Sequence, residues 1–417
     1  MATSADIGLG SGGTRGRQSR TLIGVASAHW MSHVHIMVLP PLFPVLNTQL
    51  GLSYIQLGLV MTVFGIVSGL TQAPMGVLVD RLGARRILLA GLCLGGTSFM
   101  AMGLYPTYPM LLICATFAGL ANSVYHPADY ALLSTCMDER RMGRAFSIHT
   151  FAGFLGGAFT PVMIALIVAQ FDVRTALIAA GALGPLVALF LVALGLPDSR
   201  IMADPATSGL PSKRATFLDV LSPAILLLTL FFVLLGLSTG GINSFGVSAL
   251  IGAYQIDYQT ASLAITIFLG CSAIGVLAGG FLADKTDRHG MVAAACFGFN
   301  AVIVFAIALL TPPTVILMSM LGLAGFLSGL IAPSRDMLVR KAAPPGAAGR
   351  AFGIVSTGFN IGSVIGPMIY GYIMDLSLPR VVFMVSACFM IATVLLALVT
   401  EQREARARSG RLPDQAS

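Results

Sequence analysis

The sequence predicts an all-α integral membrane protein with twelve transmembrane helices, arranged as two pseudo-symmetric bundles of six. Three observations lead to this fold class. Of the 417 residues, 56% are hydrophobic and only 10% are charged, and the mean hydropathy is +0.88; a soluble domain does not bury that much apolar surface. Apolar stretches of about 20 residues, the length that crosses a bilayer, recur along the chain. The two halves are also related by an internal repeat.

Short polar turns separate the apolar stretches, and the fourth, seventh and tenth stretches are long enough to require tilt or a kink. The predicted spans are 21–47, 54–79, 86–104, 108–137, 142–169, 173–196, 218–252, 258–283, 290–310, 313–341, 349–374 and 379–400. We therefore expect a tail at 1–20, a six-helix bundle at 21–196, a linker at 197–216, a second bundle at 217–400 and a tail at 401–417.

The internal repeat is specific. The segment 126–161 aligns without a gap with 332–367, an offset of 206 positions that matches GRAF at 143–146 with GRAF at 349–352. A second match pairs GVLVDRLGARR at 76–86 with GFLADKTDRHG at 280–290. Internal repeats of this kind are typical of membrane transporters.

The net charge of +7 does not indicate a nucleic-acid partner, because most of the 24 Lys and Arg lie in the tails and the even-numbered loops. That asymmetry predicts a multi-pass protein of the cytoplasmic membrane with both termini in the cytoplasm. Arg174 and Arg380 are the exceptions that face outside. None of the six cysteines forms a C-x-x-C pair, so we expect neither disulfides nor a metal site of that type.

The repeated loop resembles the signature of the major facilitator superfamily. Its key positions are Gly76, Asp80, Arg81, Gly83, Arg85 and Arg86. A second, less complete copy of the motif has Gly280, Asp284, Lys285 and Arg288. In that family the loop clasps the cytoplasmic ends of the two halves, and glycine lets helices approach closely. The alternative is an ordinary basic turn on the cytoplasmic side.

Within the superfamily, the amino-terminal half resembles the fosmidomycin-resistance type of efflux proteins. The resemblance is carried by AHW and LPPLFPVL at 28–46, GLSYIQLGLV at 51–60, QAPMGVLVDR at 72–81 and the HP of His126 and Pro127. Where that family has an acid shortly after its AHF, this chain has His33.

Ionisable side chains inside a bilayer are costly and mark functional sites. The candidates are His29, His33 and His35 in the first span, His126 and Asp129 in the fourth, His149 in the fifth, and Arg335 and Asp336 in the tenth. On an ideal helix His29 and His33 lie about 40° apart, whereas His35 points about 200° away from His33. We therefore expect a shared stripe of His29, His33 and Met37, a structural His35, and no three-histidine metal site on this helix.

In the fourth span, the i, i+4, i+7 spacing of Asn122, His126 and Asp129 predicts a common helix face beside a kink at Pro127. The face suits a water-filled pathway, and the alternative is polar contact between helices. Asp129 and Arg335 are equivalent under the 206 offset, so a gate between them is one hypothesis. The other pairs Arg335 with Asp336; a free Arg335 would also suit an anionic solute.

The other candidates are structural. Gly153, Gly156, Gly157 and Pro161, and in the repeat Gly362, Gly366 and Pro367, form small-residue faces for helix packing. Pro40, Pro41 and Pro44 predict a broken first helix, and Gly240, Gly241, Asn243 and Ser244 predict a broken seventh helix whose Asn243 lines the pathway. Gln56 is a further candidate for solute contact.

These features predict a secondary active transporter, without enzymatic activity, that moves a small anionic or amphipathic organic solute through the lipid bilayer by alternating access. Protons are the expected coupling ion, because His and a buried Asp can titrate near neutral pH, and no other cofactor is expected. The resemblance implies efflux by antiport. Proton-coupled uptake of an organic acid and a non-transporting receptor or scaffold are the alternatives. We expect a monomer.

Overall fold

The computed structural model describes residues 10–198, 221–286, 288–344 and 348–409. This part of the chain contains fourteen α-helices and no strand. The helices are α1 (Gly10–Met37), α2 (Leu39–Leu50), α3 (Tyr54–Leu82), α4 (Ala84–Leu104), α5 (Tyr108–Asn122), α6 (Tyr125–Cys136), α7 (Glu139–Gln170), α8 (Val173–Ala193), α9 (Pro223–Tyr254), α10 (Tyr258–Asp284), α11 (His289–Leu309), α12 (Thr314–Ala342), α13 (Ala348–Asp375) and α14 (Pro379–Ser409).

These helices supply twelve segments that are long and apolar enough to cross a membrane. The first segment combines α1 with α2 over Arg15–Leu50, and the fourth combines α5 with α6 over Tyr108–Cys136. The predicted all-α class and the number of spans are thus confirmed. Both ends of the chain are more helical than predicted, since α1 begins within the expected tail 1–20 and α14 continues beyond residue 400. Most of the predicted linker 197–216 lies outside the described residues.

Proline accounts for the interruptions of the first and fourth spans. The first span breaks at Val38, because Pro40 and Pro41 have no N–H to donate to the preceding turn. The fourth span breaks at Ser123 and Val124, and Ser123 carries the carbonyl that the N–H of residue 127 would bond if it were not proline. The predicted break in the seventh span is wrong: α9 runs from Pro223 to Tyr254 without interruption, because glycine weakens a helix but keeps its N–H.

The described residues form two compact units. The first contains the chain up to Leu39 and from Val63 to residue 198. The second contains Pro40–Thr62 and the described residues from 221 onward. The first unit therefore differs from the predicted bundle 21–196, because 40–62 pack with the second unit.

Contacts with α13 explain why 40–62 belong to the second unit. The backbone N–H groups of Tyr54 and Ile55 donate to the Asp375 carboxylate at 2.6 and 2.9 Å. The hydroxyl of Thr62 donates to the carbonyl oxygen of Val364 at 2.8 Å. A carboxylate at the amino end of α3 satisfies N–H groups that have no partner within the helix.

In the first unit, α1 packs against α7 through glycines that allow the two helices to come close. A Cβ added at Gly156 would collide with the backbone of Trp30, and one added at Gly153 would lie 2.6 Å from the His29 ring. Small residues at such crossings let helix backbones approach within a membrane. This crossing brings the histidines of α1 against α7.

Candidate functional site

A buried cluster of ionisable side chains lies inside the first unit, where α1, α6 and α7 meet. His149 Nε2 lies 3.0 Å from Asp129 Oδ2, at hydrogen-bond distance. His29 Nδ1 lies 3.7 Å from the same oxygen. The His29 and His149 rings stack with centroids 3.8 Å apart. Three helices thus each place one ionisable side chain at a single point, which we call the His–Asp–His triad (His29, Asp129 and His149).

Two further histidines extend the triad toward the surface of the unit. The His33 and His126 ring centroids lie 4.8 and 5.3 Å from that of His29. All three triad residues are buried, and Asp129 is 0% exposed. His33 is half-buried and His126 is exposed. Access therefore increases from the triad outward through His33 and His126.

Local sequence explains how these side chains come together. The break before Pro127 starts α6 at Tyr125, about one turn before Asp129. Gly153, one turn after His149 on α7, leaves room for the imidazoles, since an added Cβ would lie 2.8 Å from the His33 ring. The HP dipeptide and the glycines of α7 thus both help to bring the triad side chains together.

Two atoms of the triad lack a hydrogen-bond partner among the described residues. They are His29 Nδ1 and Asp129 Oδ1, and both are buried. A buried polar atom without a partner costs about 1–3 kcal/mol. The triad has two simple charge states. With the Asp129 carboxylate ionised and both imidazoles neutral its net charge is −1, and with one more proton its net charge is zero. The unpaired atoms are places where that proton can bond.

The same three residues could offer ligands to a metal ion, since their ligand atoms lie within 4.8 Å of one another. The His29 and His149 rings stack with their planes only 22° apart. The nitrogen lone pairs lie in the ring planes, so they lie in two nearly parallel planes. Lone pairs in that arrangement do not converge on a centre about 2.0–2.1 Å from each nitrogen, as zinc requires. The geometry suits a shared proton better than a metal ion.

Three residues proposed from the sequence lie apart from the triad. Asn122 ends α5 and its amide donates to Ser68 Oγ at 2.8 Å, so the predicted common face with His126 and Asp129 is wrong, because the helix breaks between them. His35 packs between α4 and α8 and stacks on Phe99 at 5.1 Å. Asn243 lies in α9, in the second unit.

Arg335 and Asp336 lie in α12 and pair with each other. Arg335 Nε donates to Asp336 Oδ1 at 2.9 Å, and the guanidinium lies 4.9 Å from the centre of the Phe232 ring. Asp129 and Arg335 thus each have a partner within their own unit. The gate hypothesis is not needed to account for either charge.

The loop that resembles the family signature lies at the end of α3. Gly83 has a φ of 94°, a left-handed value that favours glycine. A Cβ at Gly76 would lie 4.0 Å from Pro127, and one at Gly280 would meet nothing within 4 Å. The close helix approach expected at Gly76 is therefore wrong. Among the charged residues predicted for the loop and its second copy, Arg85 is half-buried. The exposed ones are Asp80, Arg81, Arg86, Asp284, Lys285 and Arg288.

The predicted packing residues divide into two groups. Gly153, Gly156 and Gly362 face neighbours so close that a Cβ would overlap them, whereas Gly157 and Gly366 leave ordinary contact distances. Pro161 and Pro367 lie inside α7 and α13, which continue beyond them.

His149 is the residue that sequence reasoning undervalued. It was recognised as ionisable within the fifth span, but no spacing along the chain linked it to Asp129, 20 residues earlier. Its position four residues before the glycine-rich face of α7 is the available signal, because such faces pack closely on other helices. Gln56 instead belongs to a capping box: its Oε1 accepts from the N–H of Ser53 at 2.9 Å.

The twelve spans, the internal repeat and an ionisable cluster within one unit define a multi-pass membrane protein of the transporter class. The model of the Major Facilitator Superfamily matches residues 25–258 and 228–416. The chain belongs to this superfamily, and its fold is that of a major facilitator transporter.

Relatives extend along nearly the whole chain. The Fosmidomycin resistance protein of Escherichia coli (strain K12) is 22% identical over 408 residues, covering 95% of this chain and 97% of the relative. The Quinolone resistance protein NorA of Staphylococcus aureus (strain MRSA252) is 24% identical and covers 88% of this chain and 92% of its own. The solved structure of the nucleoside transporter NupG has a TM-score of 0.75 at 16% identity, covering 91% and 99%. That likeness concerns the fold alone.

Proposed function

We propose that the protein is a secondary active transporter that exports a small amphipathic organic solute across the cell membrane in exchange for protons. Two of the relatives named above are resistance proteins, which supports export. The basic residues of the even-numbered loops support a cytoplasmic location of both termini.

The observation that carries proton coupling is the triad of His29, Asp129 and His149. A net charge inside a bilayer is costly, so gain or loss of one proton by the triad changes the energy of the unit. His33 and His126 lie between the triad and the surface and can pass that proton on. A bound solute that alters access to these imidazoles would couple its own movement to the proton.

Of the two solute classes predicted from the sequence, the amphipathic class is better supported than the anionic class. The anionic class depended on a free Arg335, and this guanidinium already pairs with Asp336. A charge so occupied gives little net attraction to a second anion.

The test uses purified protein in liposomes with an imposed pH gradient, a pH-sensitive dye inside, and a panel of carboxylates, phosphonates and lipophilic drugs. We expect a solute-dependent movement of protons that Asp129→Asn reduces to about a tenth or less, because an amide cannot take up the proton. The exposed Asp172→Asn, at the amino end of α8, is the matched control. Asparagine keeps the helix cap, so this variant should transport as the wild type does.

The same measurement separates the alternatives. Solute and protons moving in the same direction would identify uptake by symport and contradict export. Solute binding without any movement of solute or protons would identify a receptor. Coupled movement that persists in Asp129→Asn would remove the triad from the coupling mechanism.

A further inference from the structure

A row of rings continues from the triad along the surface of the first unit. His33 lies 6.2 Å from Phe154, His126 lies 5.6 Å from Tyr130, and Tyr130 lies 5.3 Å from Phe146, between ring centroids. His29 joins the two ends, because its ring is close to both His33 and His126. We call His33, His126, Tyr130, Phe146 and Phe154 the aromatic row.

The row is accessible along its length. Tyr130 is 46% exposed, His126 is exposed, and the other three rings are half-buried. Phe146 and Phe154 are eight residues apart on α7, which places them about 12 Å apart along the helix axis. This length accommodates a solute of two fused rings.

The exposed imidazole of His126 indicates what the row faces. Polar side chains within spans face the bundle interior or a water-filled cavity, because acyl chains cannot solvate them. Since His126 is in the middle of the row, with Tyr130 one turn after it, the row borders an aqueous path rather than lipid. An apolar solute travelling in that path would meet ring faces.

We propose that the aromatic row is the binding surface for a planar aromatic solute without negative charge. This inference rests on the proposed transport function and specifies its solute class. Ring faces carry a negative quadrupole, so they favour edges of other rings and cations. The row contains no Lys or Arg, and the carboxylate of Asp129 lies behind it, 3.7 Å from His29 Nδ1. With its imidazoles neutral, the row therefore favours an uncharged or cationic solute over an anion.

Paired ligands separate aromatic recognition from the hydrophobic effect. 2-Naphthylmethylamine and its fully saturated decalin analogue have the same size and charge, and the saturated member is the more hydrophobic of the two. Titration calorimetry on the detergent-solubilised protein should give a Kd about tenfold lower for the aromatic member. The corresponding pair of carboxylic acids should bind more weakly than the amines.

Substitutions locate the effect. Tyr130→Leu and Phe154→Leu replace a ring by an aliphatic side chain of similar volume. Each should bring the ratio of the Kd of the saturated amine to the Kd of the aromatic amine close to one. Phe159→Leu is the control, because Phe159 is also an exposed ring of α7 but lies outside the row, against Trp30. It should keep the wild-type ratio.

A wild-type ratio of one or below, or a ratio that Tyr130→Leu and Phe154→Leu leave unchanged, would overturn the proposal. Tighter binding of the acids would overturn its charge preference. Because binding is measured without a gradient, these failures are distinct from failure of the transport function: liposomes that move another solute with protons would leave that function standing. Aromatic binding without any transport would support the binding surface and contradict the transport function.

Discussion

At the scale of single residues, the imidazole positions follow from helix geometry and from one glycine. Met37 and His33 both face Gly157 of α7, at 3.7 and 4.0 Å from an added Cβ, while His29 faces Gly153. His35 points away, into the space between α4 and α8. The angular separation of His35 from the other two histidines was therefore predictable from 100° per residue. Which residues of other helices these histidines contact was not predictable from the sequence.

Gly153→Ala should disturb the triad, whereas Gly157→Ala should not. An added methyl group at 153 would lie 2.6 Å from His29 and 2.8 Å from His33, and must displace both rings. At 157 the nearest atom is at 3.7 Å, an ordinary contact. We expect Gly153→Ala to lower proton-coupled transport several-fold and Gly157→Ala to be close to wild type in the same liposome assay. Equal activity of the two variants would contradict a requirement for close packing at this point.

At the scale of elements, the two arginines that are predicted to face outside have a structural role, which explains their exception to the charge rule. Arg174 donates to the carbonyl oxygens of Gly103 and Leu104, at the carboxyl end of α4. Arg380, 206 positions later, donates to those of Ala308 and Leu310, at the end of α11. Cations stabilise helix carboxyl ends because the last carbonyls have no partner within the helix.

Arg174→Gln and Arg380→Gln should each lower the stability of the protein by about 1 kcal/mol, since the hydrogen bonds are charged but partly exposed to solvent. The two effects should add, because the sites lie in different units. Thermal unfolding in detergent measures this, with the exposed Arg86→Gln as control. A control variant as unstable as the other two would show a general effect of charge instead of capping.

Helix amino ends carry a pH-dependent contribution. Hydrogen bonds from the hydroxyl and the backbone N–H of Thr260 lower the pKa of Asp257, which caps α10 outside the span. A lowered pKa means that the cap stabilises the fold above the ordinary pKa of the carboxyl and that this stabilisation is lost as the pH falls through the folded-state value.

Asp257→Ala should therefore lower the unfolding temperature at neutral pH, and the difference from the wild type should shrink in acid. Asp257→Asn is the control, because asparagine caps helices about as well as aspartate. It should be close to wild type at neutral pH. An alanine variant whose deficit is constant with pH would exclude the carboxylate as the cause.

At the scale of the whole molecule, the two halves share a sequence repeat but differ in the ionisable residues that they carry. Under the 206 offset, Asp129, His149 and His126 of the first half correspond to Arg335, Val355 and Ala332 of the second. The histidine cluster thus lies in the first unit alone, and the second unit has the Arg335–Asp336 pair instead. The proposed proton site therefore belongs to one half of the repeat only.

The predicted orientation can be tested along the whole chain. Green fluorescent protein fused to the carboxyl end should be fluorescent and alkaline phosphatase at the same position inactive, because the rule of basic loops puts this end in the cytoplasm. Phosphatase fused after Phe171, which follows the fifth span, should be active. The opposite pattern would reverse the proposed orientation.

The sequence by itself determined the number of spans, the repeat, the broken first helix and the separation of His35, because each depends on local hydropathy, on proline chemistry or on the turn angle of a helix. Only the tertiary structure joined His149 to Asp129, separated Asn122 from them, and paired Arg335 with Asp336. Those contacts depend on which helix faces pack together, and spacing along one helix carries no information about the residues of its neighbours. The candidate site is therefore a product of packing at Gly153 and of the break before Pro127.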